Sequence, residues 1–497
     1  MREHPFQRMQ LRGLTQQDAG RFVEATAGVI PPAALVEEVH RRTEGNPLFL
    51  GEVVGLLTPE EVQEGRWSAT GIPEGIRDAI GRRLDRLSQE CNGLLTTASV
   101  VGWEFDFELL RALSQDIDES QLLESLDEAL EAGAIEDIPG RSERYRFSHA
   151  LIHQTLSEEL SSSRRTRLHA RIGEALEEIH GADADAHAAE LAHHFAQAEA
   201  VVGTQKLVRF SRVAGEQALA AYAYEEALAH FQRALVAKGG RAPGQIDEAP
   251  DSETAALLFG LGRAQVPTLQ GYQLQEAVDN LTRAFDYYAE AGEVERALAV
   301  AQTPFPLMLG LTGVPQLLTR ALELSPPDSY EAACLLPEYI RAIGVDQGDY
   351  EAGREAIDQG LAIARREKDD ALEASLLYNA SWFDFFHLRF QDSIEHGEKA
   401  TELVGDYDPS KSLSSLNQFV IRASLVVGDL KRARLHAAAM LPREGKRYHS
   451  VHLRHAFALN AYVCRLAGDW KSARDLSDRG LEVASREVSN LGPRTAL

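Results

Sequence analysis

Histidines at helical spacing are the first residues in the chain that suggest chemistry, because imidazole nitrogens bind zinc. Three groups occur, and they consist of His187, Glu190, His193 and His194; of His449, His452 and His455; and of His149 and His153. The zinc-protease pattern His-Glu-x-x-His is absent. Residues six apart on a helix point roughly 240° away from each other, so the widest pairs diverge. We therefore predict no metal site and expect ordinary solvated or interhelical histidines.

Patterns that supply a nucleophile or a phosphate cradle are also absent from the sequence. No Gly-x-Ser-x-Gly elbow occurs, and no cysteine–histidine dyad has local support. The pattern Gly-x-x-x-x-Gly-Lys-Ser/Thr is missing, and the one Gly-Lys pair, Gly445-Lys446, precedes Arg447 rather than a hydroxyl residue. We therefore predict no catalytic residue and no enzymatic activity for this chain alone.

Basic residues are clustered in one short stretch of an acidic chain. They are Arg164, Arg165, Arg167, His169 and Arg171. A phosphate or partner site is one interpretation of this stretch. A solvated helix face that offsets the charges of Glu158 and Glu159 is the other, and it is the more usual role of a charge run.

Aromatic residues are concentrated in one predicted helix pair, where they are Tyr378, Trp382, Phe383, Phe385, Phe386 and Phe390. Trp382 and its neighbours one turn away share one face, which is typical of a buried stripe. Phe383 and Phe386 lie off that stripe. We predict that they project into a groove as a ligand platform, with Arg389 as a polar neighbour. Burial in the core is the alternative, since large aromatic side chains are usually buried.

Charge and composition limit the partners of the chain. Its 76 acidic and 51 basic residues give a formal net charge of −25, which repels phosphate backbones, so we predict no direct binding of nucleic acid. Hydrophobic residues make up 44% of the sequence, enough for a buried core throughout. Three cysteines without paired spacing are typical of a reducing compartment. Without a long apolar run, we expect a cytoplasmic protein that does not enter membranes.

The elements that would position these residues are mainly helices. Residues 14–57 read as short helices, with Thr15 as an N-cap and Asp18 in the capping-box position. Helices and one hairpin, turned at Pro139-Gly140, follow up to about residue 163 and form a winged-helix pattern. This hairpin is the only β-structure that the sequence predicts. The helix Ser120–Ala132 of this domain carries acidic residues and no Arg or Lys, so it is not expected to read DNA.

The rest of the chain contains a repeat with a period of 40 residues. Gly348-Asp349-Tyr350, Gly428-Asp429-Leu430 and Gly468-Asp469-Trp470 share one register, and Leu388-Arg389-Phe390 fills the remaining position. A small residue follows five positions after each start. Paired helices that approach closely need such small residues, as in the tetratricopeptide repeat. We predict that the glycines lie in turns, and that Tyr350 and its equivalents begin helices.

Several segments resemble one family when they are taken in order. These are Leu11-Arg12-Gly13-Leu14, Gly45-Asn46-Pro47, Ile72-Pro73-Glu74-Gly75 and Tyr145-Arg146-Phe147-Ser148-His149. They resemble the STAND class (signal-transduction ATPases with numerous domains), in its branch of MalT-like, LuxR-family and cyclase-linked regulators. The resemblance implies that Pro47 contacts the adenine and His149 the β-phosphate of bound ADP, as residual contacts. Alternatively, Gly45 and Pro47 only end and open helices, and Ser148 caps a helix beside an incidental histidine.

The resemblance implies ATPase lid helices at 1–58, a winged-helix domain at 73–163, connecting helices at 164–204 and a tetratricopeptide-like solenoid at 205–497. It also implies that ATP or ADP binds the whole regulator, whereas this chain alone lacks the phosphate-binding core and a cofactor. We expect the sensor and arm portion of a signalling or transcriptional regulator, which binds a protein or small-molecule inducer in its repeat groove and can self-associate. A free-standing repeat scaffold, or the regulatory half of a cyclase-linked ATPase, remains the alternative.

Overall fold

The computed structural model describes residues 14–43, 47–57, 62–63, 84, 86–114, 117–141, 143–148, 150–239, 248–269, 273–305, 311–404, 416–442 and 450–490. The fold is mainly α and contains an α-solenoid of tetratricopeptide-like repeats, as predicted. The chain divides into two compact units, Gln7–Ala214 and Gly215–Leu497. Within the described residues, no helix combines the length and the apolar character that a membrane span requires.

The first unit opens with three short helices, α1 (Gln16–Ala27), α2 (Ala33–Thr43) and α3 (Pro47–Leu56). Thr15 caps α1 as predicted, because its side chain accepts a hydrogen bond from the Asp18 amide at 3.2 Å. Gly28 ends the helix with a φ of 72°, a left-handed conformation that glycine adopts without strain. The sequence therefore predicted the N-cap of α1 correctly.

The next elements surround a small sheet. In chain order they are α4 (Gln89–Val101), β1 (Glu104–Asp106), α5 (Phe107–Leu113), α6 (Glu119–Glu131), β2 (Ile135–Asp137) and β3 (Arg144–Phe147). β2 and β3 pair antiparallel around Pro139-Gly140, and Gly140 has a φ of 79°. β1 adds a third strand on the other side of β3, giving the order β1-β3-β2. The prediction of a lone hairpin was thus wrong, because three residues of β1 are too few for a visible period of two.

Helices complete the first unit and lead into the second. They are α7 (Ala150–Glu159), α8 (Ser162–His180), a 3-10 helix (Gly181–His187), α9 (Ala188–Val202) and α10 (Gln205–Ala220), which runs across the boundary between the units. Phe147, Leu95 and Leu110 are among the fully buried side chains of the first unit. Its core thus joins the sheet to the helices around it.

The second unit continues with antiparallel helices. They are α11 (Tyr224–Gly239), α12 (Ser252–Thr268), α13 (Leu274–Glu290), α14 (Val294–Ala301), α15 (Val314–Leu324), α16 (Tyr330–Tyr339) with a π-helical extension (Ile340–Asp346), α17 (Tyr350–Glu367), α18 (Asp370–Phe386), α19 (Phe390–Val404), α20 (Leu416–Val426), α21 (Leu430–Ala439), α22 (Ser450–Leu466) and α23 (Trp470–Asn490). The first helix of each of the last four pairs is the α16 segment, α18, α20 or α22.

The turns within these pairs confirm the predicted register. Gly348, Gly428 and Gly468 have φ values of 74°, 84° and 81° and lie two residues before the second helices begin. Leu388 adopts the same conformation with a φ of 61°, although it is a leucine. The 40-residue period therefore fixes the backbone of the turn even where glycine is absent.

The small residues five positions after each start are buried, as the close approach of paired helices requires. Ser393 and Ala433 are 0% exposed, Ala473 is 8% exposed, and Gly353 is buried. A Cβ placed on Gly353 would lie 2.4 Å from the Phe383 ring, which is closer than real contacts allow. The packing of α17 against α18 thus depends on glycine at position 353, which leaves room for the large Phe383 ring.

Candidate functional site

A partly exposed aromatic face lies where α18 meets α20, the first helices of consecutive pairs. We define it as Tyr378, Trp382, Phe385, Phe386 and Phe419. Trp382 and Phe419 stack with ring centroids 5.4 Å apart and planes inclined by 17°. Phe386 covers their edge, 6.3 Å from the Phe419 ring, and is 49% exposed. A stacked pair below a half-exposed ring is a surface on which an apolar or planar group can bind.

Trp382 is buried, as predicted, with 7% of its surface exposed. Its indole nitrogen Nε1 is buried too and has no hydrogen-bond acceptor among the described residues. A buried donor that lacks an acceptor costs free energy, because it has lost its bonds to water. The aromatic face therefore contains a buried N–H donor, Trp382 Nε1, that has no acceptor among the described residues.

Phe383 does not belong to this face, so its prediction as a groove residue was wrong. Its side chain is 0% exposed and stacks on Tyr350 with centroids 5.4 Å apart. The ring fills space that Gly344 and Gly353 leave open in the preceding pair. α18 lies between two other helix pairs and is buried on more than one side, whereas the stripe argument assumes a single buried face.

Arg389 is exposed, but its contacts lead away from Phe386. Its Nε donates to Asp392 at 2.6 Å, and its Nη1 donates to the Tyr350 hydroxyl at 2.8 Å. Phe386 instead contacts rings of α18 and Phe419 of α20. Among the described residues no hydrogen bond or cation–ring contact joins Arg389 to Phe386, and Arg389 is held toward α17.

Phe419 is the residue of the aromatic face that sequence reasoning missed. It is 4% exposed and contacts four rings of α18. The 40-residue period makes Phe419 equivalent to Asn379, which lies in α18 among the aromatic residues. The period is the signal that would have found it, because equivalent residues of consecutive first helices lie side by side.

A buried polar pair lies next to the aromatic face on α18. Asp384 is 0% exposed, and one of its carboxylate oxygens accepts a hydrogen bond from His396 Nδ1 of α19 at 2.7 Å. The other oxygen has no hydrogen-bond partner among the described residues. Forty residues later His436 pairs with Asn417 at 2.7 Å, so the second helices repeat a histidine in register. These pairs fix each second helix against the first helix of its own pair.

The residues predicted to touch a nucleotide lie in the first unit. Pro47 is the first residue of α3, and its side chain is exposed. His149 lies outside the described residues, so its predicted contact stays a prediction. Ser148 donates from its hydroxyl to the Gly133 carbonyl at 2.6 Å, which ties the end of β3 to the start of β2. The structure therefore shows a contact for Ser148 other than the helix cap considered from the sequence.

The histidines of the first unit contact different partners from those with which they were grouped in the sequence. His194 is separated from His187 and instead meets His169 of α8, with their Nδ1 atoms 2.9 Å apart. Burial lowers the pKa of His169 to about 4 and that of His194 to about 3, so both are neutral at pH 7. This is the interhelical role that the sequence predicted. Separately, ligand atoms of His180, His187 and Glu190 lie within 4.8 Å of one another, and sequence grouping had not included His180.

No protein-family model matches the chain. An uncharacterized protein of Rhizobium meliloti (strain 1021) is 27% identical over 359 residues, which are 68% of this chain, and the chain spans 33% of the length of that relative. A crystal structure from Pyrococcus horikoshii, of a STAND protein with a tetratricopeptide repeat sensor, is 14% identical with a TM-score of 0.40 and covers 97% of this chain and 74% of its own. A circular tandem repeat protein is 16% identical with a TM-score of 0.11 and covers 95% of this chain and 88% of its own.

Proposed function

We propose that this chain is the sensor and arm portion of a STAND-type signalling or transcriptional regulator, and that it binds a ligand or partner protein through its helical repeats. The observation that carries the proposal is the aromatic face, where half-exposed Phe386 covers the stack of Trp382 on Phe419. Aromatic residues clustered on a surface are typical of binding sites, because they contribute large apolar contact area at a small cost in conformational entropy.

The order of elements upstream supports the regulator. From α4 to β3 the elements occur in the chain order helix, strand, helix, helix, strand and strand. In the sheet, β3 lies between β1 and β2. We interpret this segment as the winged-helix domain that the sequence motifs imply. The opening of α3 at Pro47 agrees with a lid helix of the ATPase. Nucleotide binding and transcriptional control then belong to the regulator as a whole.

The aromatic face is tested by two alanine variants that separate stability from binding. Trp382→Ala removes a buried ring and should lower the free energy of unfolding by about 3–5 kcal/mol through the cavity it leaves. Phe386→Ala removes a half-exposed ring and should leave the melting temperature almost unchanged. It should weaken binding of 8-anilinonaphthalene-1-sulfonate, an aromatic probe whose fluorescence rises on apolar surfaces.

Leu435→Ala is the matched control for this experiment, because Leu435 is a 70% exposed apolar residue of α21 outside the aromatic face. Its dye binding should equal that of the unmodified chain. A melting decrease for Phe386→Ala as large as that for Trp382→Ala would place both rings in the core and end the proposal of an aromatic binding face.

A repeat scaffold for protein partners is the second candidate, and the regular array of helix pairs favours it. The genomic sequence upstream of the Met1 codon distinguishes the two. A phosphate-binding motif encoded there in frame supports the regulator, whereas an unrelated neighbouring gene behind a ribosome-binding site supports the scaffold.

A further inference from the structure

A basic groove lies between α4 and α8 in the first unit, far in sequence from the aromatic face. Its volume is about 710 Å³. Its walls include Asn92, Thr96 and Thr97 of α4 and Arg164, Arg167 and Arg171 of α8. Three arginines and, among the described residues, no carboxylate line this groove, although the chain as a whole has a formal net charge of −25. The local charge is therefore opposite to that of the molecule.

The three arginines point to the same side of α8. Residues 164, 167 and 171 lie within about 60° of one another around a helix, and the first and last are separated by about 10 Å along its axis. Arg164 and Arg167 are exposed, and neither has an ion-pair partner in the part of the chain that the structure describes. Arg171 donates one N–H to the Leu113 carbonyl and keeps its remaining donors.

The position of these charges on the helix is unfavourable unless an anion is present. Arg164 and Arg167 lie near the N-terminal end of α8, where the helix dipole is already positive and acidic residues are normally preferred. No acidic residue occurs in the first turn of α8 to offset them. Glu158 and Glu159, which the sequence set against these charges, are not among the residues that line the groove.

The opposite wall is polar but uncharged, and its donors are largely used. Thr96 and Thr97 donate to the carbonyls of Asn92 and Gly93 on their own helix, at 2.7 and 3.0 Å. The Asn92 side-chain amide donates to the Leu84 carbonyl at 2.8 Å. Recognition in the groove thus depends on the guanidinium groups, which bind phosphate through paired hydrogen bonds.

We propose that this groove binds a small phosphorylated molecule with at least two phosphate groups. One phosphate cannot reach arginines spread over about 10 Å, whereas a compact polyphosphate or bisphosphate can contact them together. A long nucleic acid is disfavoured because it would extend from the groove over an acidic surface, beyond the roughly 8 Å over which charges act at physiological salt. The ligand class is therefore a compact polyanion.

The test uses inorganic tripolyphosphate, titrated into the full chain by isothermal calorimetry at low salt. Binding should be measurable and should raise the melting temperature, and the double variant Arg164→Gln/Arg167→Gln should weaken the affinity by at least about tenfold. Arg141→Gln is the matched control, because Arg141 is exposed on the hairpin of the same unit and does not line the groove. The control should bind like the unmodified chain.

Three outcomes overturn the proposal. One is a lack of heat and of thermal shift with millimolar tripolyphosphate. Another is equal binding by the double variant, which would show that other cations hold the anion. The third is preferential binding of an acidic polyglutamate peptide, which would make the groove a contact for a protein partner. Because both glutamine variants replace exposed side chains, a failure to fold is not expected, and circular dichroism verifies this.

Discussion

Acidification should destabilise the first unit through the buried pair His169 and His194. In the unfolded chain both side chains bind protons below their ordinary pKa of 6.5, whereas in the folded chain their pKa values lie at about 4 and about 3. The stability that depends on neutral imidazoles is thus complete above pH 6.5 and is lost as the pH falls toward 4. At pH 5.5 each histidine should cost about 1.4 kcal/mol, and the pair about 3 kcal/mol.

Hydrogen exchange measured by mass spectrometry on peptides from α8 and α9 reports this loss directly, since it resolves opening of one region. Between pH 7.5 and 5.5 the free energy of opening should fall by about 3 kcal/mol, after correction for intrinsic exchange rates. His169→Leu/His194→Leu removes both titrating groups and leaves no unpaired partner, so its pH dependence should be flatter by that amount. His187→Gln replaces an exposed histidine at the end of the 3-10 helix and should retain the full dependence. A double variant with the unmodified pH slope would refute the reasoning.

Three further predictions concern the repeat turns, the packing of α18 and nucleotide binding. Leu388→Gly should raise the free energy of unfolding by about 0.5–1 kcal/mol, because it relieves the left-handed backbone of a leucine that is 74% exposed. A midpoint of urea unfolding below that of the unmodified chain would contradict this prediction. Gly353→Ala should lower it by about 1–3 kcal/mol through collision with Phe383, and adding Phe383→Leu should restore part of the loss; a neutral Gly353→Ala in the same melts would disprove the collision. The purified chain should not bind ATP or ADP with sub-micromolar affinity, since its sequence has no phosphate cradle, and sub-micromolar ADP binding that persists in Arg164→Gln/Arg167→Gln by calorimetry would be incompatible with that view.

The sequence was sufficient for features that repeat or that act locally. The register of the last four pairs followed from three glycines 40 residues or a multiple apart, and the structure places each in a left-handed turn. The cap at Thr15 and the turn at Gly140 were also predicted correctly, because each depends on a few adjacent residues. Trp382 was correctly predicted as buried from its helical stripe.

Features that depend on contacts between distant residues could not be read in the same way. Phe383 is buried because Gly344 and Gly353 have no side chains, and nothing on α18 itself reveals this vacancy. His180 comes close to His187 and Glu190 because a 3-10 helix lies between α8 and α9, whereas the sequence groups were drawn at helical spacing and did not include His180. The groove of Arg164 becomes visible only when α4 supplies its uncharged wall.

The fit of Phe383 against Gly344 and Gly353 also limits how this array can evolve. A period of 40 residues invites the view that repeats are interchangeable modules that duplication can copy or move. At the equivalent positions in the next pair the partners are different, since Ser393 and Ala423 take the places of Gly353 and Phe383. A transplanted pair would therefore bring the wrong surface to its new neighbour. Change here must proceed by matched substitutions on adjoining helices, which should leave correlated residue pairs among related sequences.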